Sequence, residues 1–346
     1  MRFRIVSNHL PEAEGSASGR MLRAAALGLL DLGHQVEVVV WNPREPVEEL
    51  PAWCRWQPLP HETGLPAHLR ALARPRWAAA ALQLEDDPDA VSWAEESVSF
   101  GAVAHHTRSA VVVHYGCLLD ARSRGQVRPH DVQGHRGDRR ALRRARWPLS
   151  YSPRVAAALG GRAAYLPAGI DVPAEPLALP ERPTAVLLAG WDWLPNQQAL
   201  TTLLADWPTV RSACAGAELV VAGRGAPAVS GTGVRVLGEV PRASDALQQG
   251  AVLAFPCPPS SGPKTKVFEA LAAGVPVVTT AAGVEGLAPE AVAAVEVVAL
   301  EGFAAALARV LAEPARRMAM AREGRAAIAA HHSPAVVAAA RVAAVS

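Results

Sequence analysis

The sequence predicts an α/β chain of two Rossmann-like lobes, and three observations carry that prediction. Short apolar runs of strand composition alternate with segments of helical spacing along most of the 346 residues. The alternation occurs as two separate series. Between them lies Pro173 to Pro183, a proline-rich stretch that reads as a linker. A chain of this length is expected to hold two domains of roughly 150–180 residues. The expected boundaries are 1–170 and 171–329, with 330–346 a C-terminal helix placed to pack back on the first domain. Ligands of such sheets bind at the carboxyl ends of the strands, and a cleft between the two lobes is the expected site.

The first series opens with a strand at Phe3 to Ser7 and a loop from Pro11 to Gly19. Arg20 to Leu32 follows with helical spacing, Leu22, Ala26, Leu29 and Leu30 sharing a face. Gly33 stops that helix, His34 turns the chain, and Val36 to Val40 is a buried strand, completing a βαβ unit. From Asn42 to Glu85 the pattern is loose and rich in Pro and Trp. Asp86-Asp87-Pro88-Asp89 resembles a metal-binding pair of carboxylates, but acidic residues before Pro favour a turn. Ala110 to Tyr115 is a strand, and Leu149 to Ser152 and Ala163 to Leu166 are short ones. The second series places strands at Ala185 to Ala189, Glu218 to Ala222, Val234 to Leu237, Val252 to Phe255 and Val275 to Thr279. Its helices span Asn196 to Leu204, Ser244 to Gln249 and Lys266 to Ala273, and the tail is helical over Gly302 to Ala312, Pro314 to His331 and Pro334 to Val345.

Composition narrows the function classes. Hydrophobic residues make up 50% and charged residues 19%, which describes a globular chain, and a net charge of +2 demands no nucleic acid partner. Cys54, Cys117, Cys214 and Cys257 form no CxxC pair and no metal-ligand spacing, so reduced thiols and a cytoplasmic location are expected. No uninterrupted apolar run reaches the length of a membrane span. Neither a metal nor a cofactor is expected.

The segment richest in chemistry runs from Pro263 to Thr280. It places two cations, Lys264 and Lys266, in a loop entering a helix N-terminus, which is an anion site by construction. Both are lysines in a chain that otherwise prefers arginine, and a compact ammonium suits a phosphate. Glu269, one turn into the helix, is placed to accept hydrogen bonds from vicinal ribose hydroxyls. On local physics alone, first-turn charges that complement the helix dipole explain the segment equally well.

"KVFEALAAGVPVVTT" resembles the signature of the retaining GT-B glycosyltransferases of family four, glycosyl transferases group 1. Further segments agree in the same order: "LLDLGHQVEVV", "PAGID", "GWDWLPNQQAL", "LVVAGRG" and "VRVLGEVPRASDAL". The likeness covers nearly the whole second lobe and thin stretches of the first, in the variant with "PN-x-x-AL" and a "K-V-x-EA" helix. It implies a GT-B fold and transfer of a sugar from a nucleoside-diphosphate sugar, with retention and without a metal. Carried over, Glu269 binds the donor ribose, Lys266 and Lys264 neutralise the diphosphate, and Gly190 lets a phosphate approach. Arg224 lies near the base, with Gly223 and Gly225 freeing the backbone. In the first lobe Gly19 heads a helix whose backbone can approach a phosphate, Arg20 and Arg23 point along it, and His114 lies near the transferred sugar. The acceptor implied is a saccharide, a lipid-linked sugar or a secondary metabolite.

The sequence departs from the family where a first Glu, separated from Glu269 by seven residues, normally contacts the sugar. That position is Ser261, so a hydroxyl and local N–H groups have to serve there. Two rival classes follow: a nucleotide-sugar-binding subunit without catalysis, and a nucleotide-sugar epimerase. Separately, Arg136 to Arg146 forms a dense basic stretch. A solvated helix face is the plain reading, and a surface for peripheral membrane contact the functional one.

Overall fold

The computed structural model describes residues 1–41, 49–58, 78–82 and 84–346. Much of the loose segment from Asn42 to Glu85 therefore lies outside the described residues. The chain divides into two compact units, Met1–Gly169 together with Pro334–Ser346, and Ile170–Ser333.

The first unit holds strands β1 (Arg2–Ser7), β2 (Gln35–Val40), β3 (Cys54–Trp56), β4 (Ala90–Glu95), β5 (Ser109–Val113), β6 (Trp147–Ser150) and β7 (Ala164–Tyr165). Its helices are α1 (Ala17–Asp31), α2 (Cys117–Ser123), α3 (Pro129–Arg144) and α4 (Pro153–Ala158). The strands pair in parallel in the order β3-β2-β1-β4-β5-β6-β7. Helix α1 begins three residues before the expected Arg20, because the Ser16 hydroxyl accepts from the Gly19 N–H and caps it. It ends as expected at Gly33, whose φ of 78° suits glycine, with the His34 N–H returning to the Leu29 carbonyl. Asp87 accepts from the Asp89 N–H and from Arg2, and Asp86 accepts from the Thr107 N–H, so these carboxylates build a turn.

The second unit repeats the plan with β8 (Thr184–Leu188), β9 (Glu218–Ala222), β10 (Val234–Gly238), β11 (Val252–Phe255), β12 (Val277–Thr279) and β13 (Glu296–Val297). The order is β10-β9-β8-β11-β12-β13, again parallel. Around it lie α5 (Leu194–Ala213), α6 (Ala243–Leu247), α7 (Thr265–Ala272), α8 (Pro289–Ala293), α9 (Phe303–Ala312) and α10 (Pro314–His332). Helix α5 continues nine residues past the expected Leu204, running through Pro208. Leu200, Leu203, Trp207 and Val210 are all buried at helical spacing, and that continuous apolar face outweighs the lost backbone bond.

The last helix, α11 (Pro334–Val345), belongs to the first unit although it follows the second in sequence. Residues Pro314–Val345 are together long and apolar enough to cross a membrane by length and composition. Here they form two helices divided at Ser333, one in each unit. Helix α11 lies close on α1: a Cβ built at Gly28 would stand 2.0 Å from the Pro334 carbonyl oxygen. Cys54, Cys117, Cys214 and Cys257 are free thiols, and burial pushes Cys54 up to about 12.

Gly28→Ala should therefore lower the melting temperature despite its better helix propensity, by the equivalent of about 1–3 kcal/mol of overpacking. Gly302→Ala, where an added Cβ meets nothing within 4 Å, should be close to neutral in the same thermal scan.

Candidate functional site

In both sheets the strand order reverses once, between β1 and β4 and between β8 and β11. Connections leaving two neighbouring strands there run in opposite directions along the sheet, so a gap opens beyond the strands' carboxyl ends.

In the second unit the loop after β8 carries Gly190, and the loop after β11 carries Ser261 and Lys264 into α7. Asn196, in the first turn of α5, ties the two together. Its amide donates to the Gly190 carbonyl at 2.7 Å and its Oδ1 accepts from Lys266 Nζ at 2.6 Å. The Lys266 ammonium also lies 4.1 Å over the ring of Phe255, the last residue of β11. Lys266 and Glu269 are half-buried three residues apart, so they share the accessible face of α7. Lys264 is placed differently from the paired role expected for it. It is 4% exposed, and its ammonium donates to the carbonyls of Ser261 and Gly262, drawing its own loop closed. The Gly262 N–H donates to Glu285 at 3.0 Å, a carboxylate brought in from the loop after β12. Ser261 is buried in this loop.

Gly223 has a φ of 115°, and a Cβ there would lie 2.0 Å from the Ala189 carbonyl oxygen, so only glycine fits beside the Gly190 loop. The Arg224 carbonyl accepts from the Trp191 N–H, while its exposed guanidinium stands 3.5 Å from Asp192, a pair worth little in solvent.

In the first unit His114 follows β5 and is 4% exposed. Its Nε2 lies 2.9 Å from Glu95, the last residue of β4, and its Nδ1 lies 3.2 Å from the Ser18 hydroxyl and 3.3 Å from Glu96. Glu96 also accepts from Ser18 at 3.1 Å and stands 3.5 Å from His9 Nε2, in the loop after β1. It has a φ of 65°, the one positive φ at a non-glycine among the described residues. Such a conformation costs on the order of 1–3 kcal/mol and persists only where surroundings hold it. Glu96, Ser97, His114, Tyr115, Cys117 and Asp138 line a concavity.

Burial drives both carboxyls upward but is outweighed. The Arg341 guanidinium and the His114 bond hold Glu95 at about 2, and the His9 and His114 contacts hold Glu96 at about 2. The nearby Gly19 is buried, its N–H given to Ser16, and a Cβ there would stand 2.1 Å from the Leu10 carbonyl oxygen. That glycine serves close packing, and its N–H already has an acceptor. Arg20 donates to the Gly15 carbonyl, and Arg23 is half-buried on the same helix.

The arginines at 136, 139, 140, 143, 144 and 146 are exposed. Those at 136, 139, 140, 143 and 144 share the exposed side of α3, because Asp131, Gly134, Asp138, Ala141 and Leu142 form a buried stripe at helical spacing. Among the described residues no group of three His, Cys, Asp or Glu side chains is arranged to hold a metal ion.

Residues 182–313 match the family described as Glycosyl transferases group 1. The chain is a glycosyltransferase. Its structure is similar over 99% of the chain to a sucrose-phosphate synthase from Thermosynechococcus elongatus, with 18% identity, a TM-score of 0.74 and 98% of that protein covered. A TarM mutant of S. aureus in complex with fondaparinux, alpha-GlcNAc-glycerol and UDP gives the same TM-score of 0.74 at 6% identity, with 99% of each chain covered. HepE of Anabaena, in complex with UDP and glucose, gives 0.65 at 13% identity over 99% of this chain and 98% of its own. These likenesses establish the fold, two Rossmann-like domains of the GT-B type. No curated protein sequence matches. Within the glycosyltransferase, the matched segment contains Gly190, Gly223, Arg224, Ser261, Lys264, Lys266 and Glu269, whereas Gly19, Arg23 and His114 lie before it.

Sequence reading missed Asn196, Glu285, His9, Glu95, Glu96 and Arg341. Asn196 left a signal, since it is the Asn of "PN-x-x-AL", and in this chain its bond to Lys266 joins that segment to the "K-V-x-EA" helix.

The two depressed carboxyls set an acid-stability window. Groups held below their ordinary value of 4.5 stabilise the fold fully above that pH, and the contribution is lost as pH falls toward about 2. Urea midpoints should drop between pH 4.5 and 2, and Glu96→Gln should make that drop shallower.

Proposed function

We propose that this glycosyltransferase moves a sugar from a nucleoside-diphosphate sugar to a saccharide acceptor, and that Lys266 binds the diphosphate. The observation that carries the reading is the placement of a half-buried ammonium, fixed by Asn196 and Phe255, at the N-terminal end of α7 beside the switch point of the second sheet. Helix α7 turns its positive end toward the same place.

Departure of a nucleoside diphosphate from the anomeric carbon builds negative charge on the leaving phosphate. An ammonium already oriented by two partners stabilises that charge with little reorganisation. Lys264 contributes by closing the loop from Ser261, so that backbone and helix end keep their shape. Glu269, on the accessible face with Lys266, accepts from the ribose hydroxyls. Gly190 and Gly223 keep the loop after β8 free of side chains where the phosphates lie. In the first unit, His114 Nδ1 and the ionised Glu96 face the concavity, where both can accept from sugar hydroxyls. Retention at the anomeric carbon, and reliance on Lys266 and helix N–H groups in place of a metal, complete the proposal. The UDP carried by the TarM and HepE structures, and the saccharide ligands of both, support the choice of donor and acceptor class.

A thermal-shift panel of nucleoside diphosphates tests the donor site. One of them should raise the melting temperature by mass action, and Lys266→Ala should abolish the rise. With the matching nucleotide sugar, Lys266→Ala should lose about 2–4 kcal/mol of transition-state stabilisation. A flat panel on folded protein would refute the reading.

A further inference from the structure

Arg341 sits in α11 and is 1% exposed. Its Nη2 donates to Glu95 Oε1 at 2.5 Å and to the Tyr151 hydroxyl, and its guanidinium stacks 4.4 Å over Trp93. Tyr151 donates in turn to Glu95 at 3.3 Å, and its ring lies 4.7 Å from that of His114. Glu95 Oε2 then faces His114 Nε2. Burial pushes the Tyr151 phenol up, so it stays a neutral donor. Arg341 and Glu95 thus form a buried ion pair, flanked by Tyr151 and Trp93, that reaches His114 at the carboxyl end of the sheet.

Stability is a poor explanation for this pair. Two charges taken out of water gain little over apolar side chains of the same size. Here the cost is larger still, because Arg341 Nε and Nη1 have no hydrogen-bond partner among the described residues. What the pair does achieve is directional. A carboxylate fixed from behind by a guanidinium and a phenol accepts only, so the proton is held on Nε2, hydrogen-bonded to Glu95 at 2.9 Å, ahead of Nδ1, which stands farther from its own carboxylate, Glu96, at 3.3 Å. The ring plane is fixed with it, and Nδ1 is aimed at Ser18 and Glu96, into the concavity.

We propose that Arg341 is a positioning residue: through Glu95 it fixes the tautomer and orientation of His114 for contact with a sugar hydroxyl. The assignment rests on the role given to His114 under the proposed function, and it makes the last helix of the chain part of the site's working order. Without Arg341, the buried Glu95 carboxyl takes up a proton and can donate to Nε2, reversing the bond. The groups facing Glu95 are Arg341 from α11, Tyr151 after β6 and His114 after β5, with Glu96 adjacent in sequence; Glu96 is faced by His9, Ser18 and His114.

Long-range proton–nitrogen NMR spectra of the full chain labelled with ¹⁵N-histidine read the His114 tautomer without any turnover. His114→Gln identifies the signal. The wild type and Arg341→Lys should show the proton on Nε2, and Arg341→Met should lose that pattern. The charge-balanced double variant R341M/E95Q guards against misfolding of the single one. In it kcat should fall by about 10- to 100-fold, the scale of a misplaced catalytic contact, with the KM for the donor little changed. Val337→Ala, on the same helix against Gly169, should lower the melting temperature while leaving the tautomer and kcat as they were. A folded R341M or R341M/E95Q with the wild-type His114 pattern overturns the proposal, as does the same loss in Val337→Ala. A wild type that transfers no sugar, yet shows the Arg341-dependent tautomer, would sink the proposed function and leave the positioning role standing.

Discussion

Reversal of strand order between β8 and β11 is the constraint from which the chemistry of the second unit follows. Loops leaving those two strands run apart, and a gap bounded by backbone amides and carbonyls opens between them. Groups that fill it must satisfy both loops at once. Asn196 does so with one amide, donating to the Gly190 carbonyl and accepting from Lys266. The lysine is thereby held on that side by a neutral partner. A carboxylate in the same place would have formed an ion pair and left less field for a phosphate.

The first sheet meets the same constraint with the opposite sign. Its switch point is occupied by Glu95 and Glu96, both kept ionised by cationic or donor groups drawn from the loops after β1 and β5, from α1 and from α11. One switch point therefore presents a cation and the other presents carboxylates around an imidazole. An anionic leaving group suits the former, and hydroxyl-bearing groups suit the latter. The positive φ of Glu96 fits this division, because strain of that kind is held in place by the three side chains that grip its carboxylate.

Local physics made most of the fold legible. Strands β9 and β11 lie where apolar runs bounded by turn residues put them, and α1 stops at Gly33 because only a left-handed residue closes that turn. Helix α5 overran its expected end since burial of Trp207 and Val210 is a tertiary fact that the Pro208 signal contradicts locally. For the site, Lys266 was singled out because a lysine at a helix N-terminus is read within a few residues, whereas its bond to Asn196, 70 residues away, is a tertiary fact. Lys264, two positions away, was not separable from it by sequence, and its burial with bonds to the Ser261 and Gly262 carbonyls is what sets the two apart in the structure. Arg341 was out of reach entirely: its partner Glu95 is 246 residues away, and nothing near either residue announces the other.

A crystal structure of the chain with a bound nucleoside diphosphate bears most directly on the central claim. A phosphate oxygen about 3 Å from Lys266 Nζ, with Asn196 still within reach of the ammonium, is the predicted result. Diphosphate density away from α7, with the Lys266 ammonium contacting Asn196 alone, would contradict it.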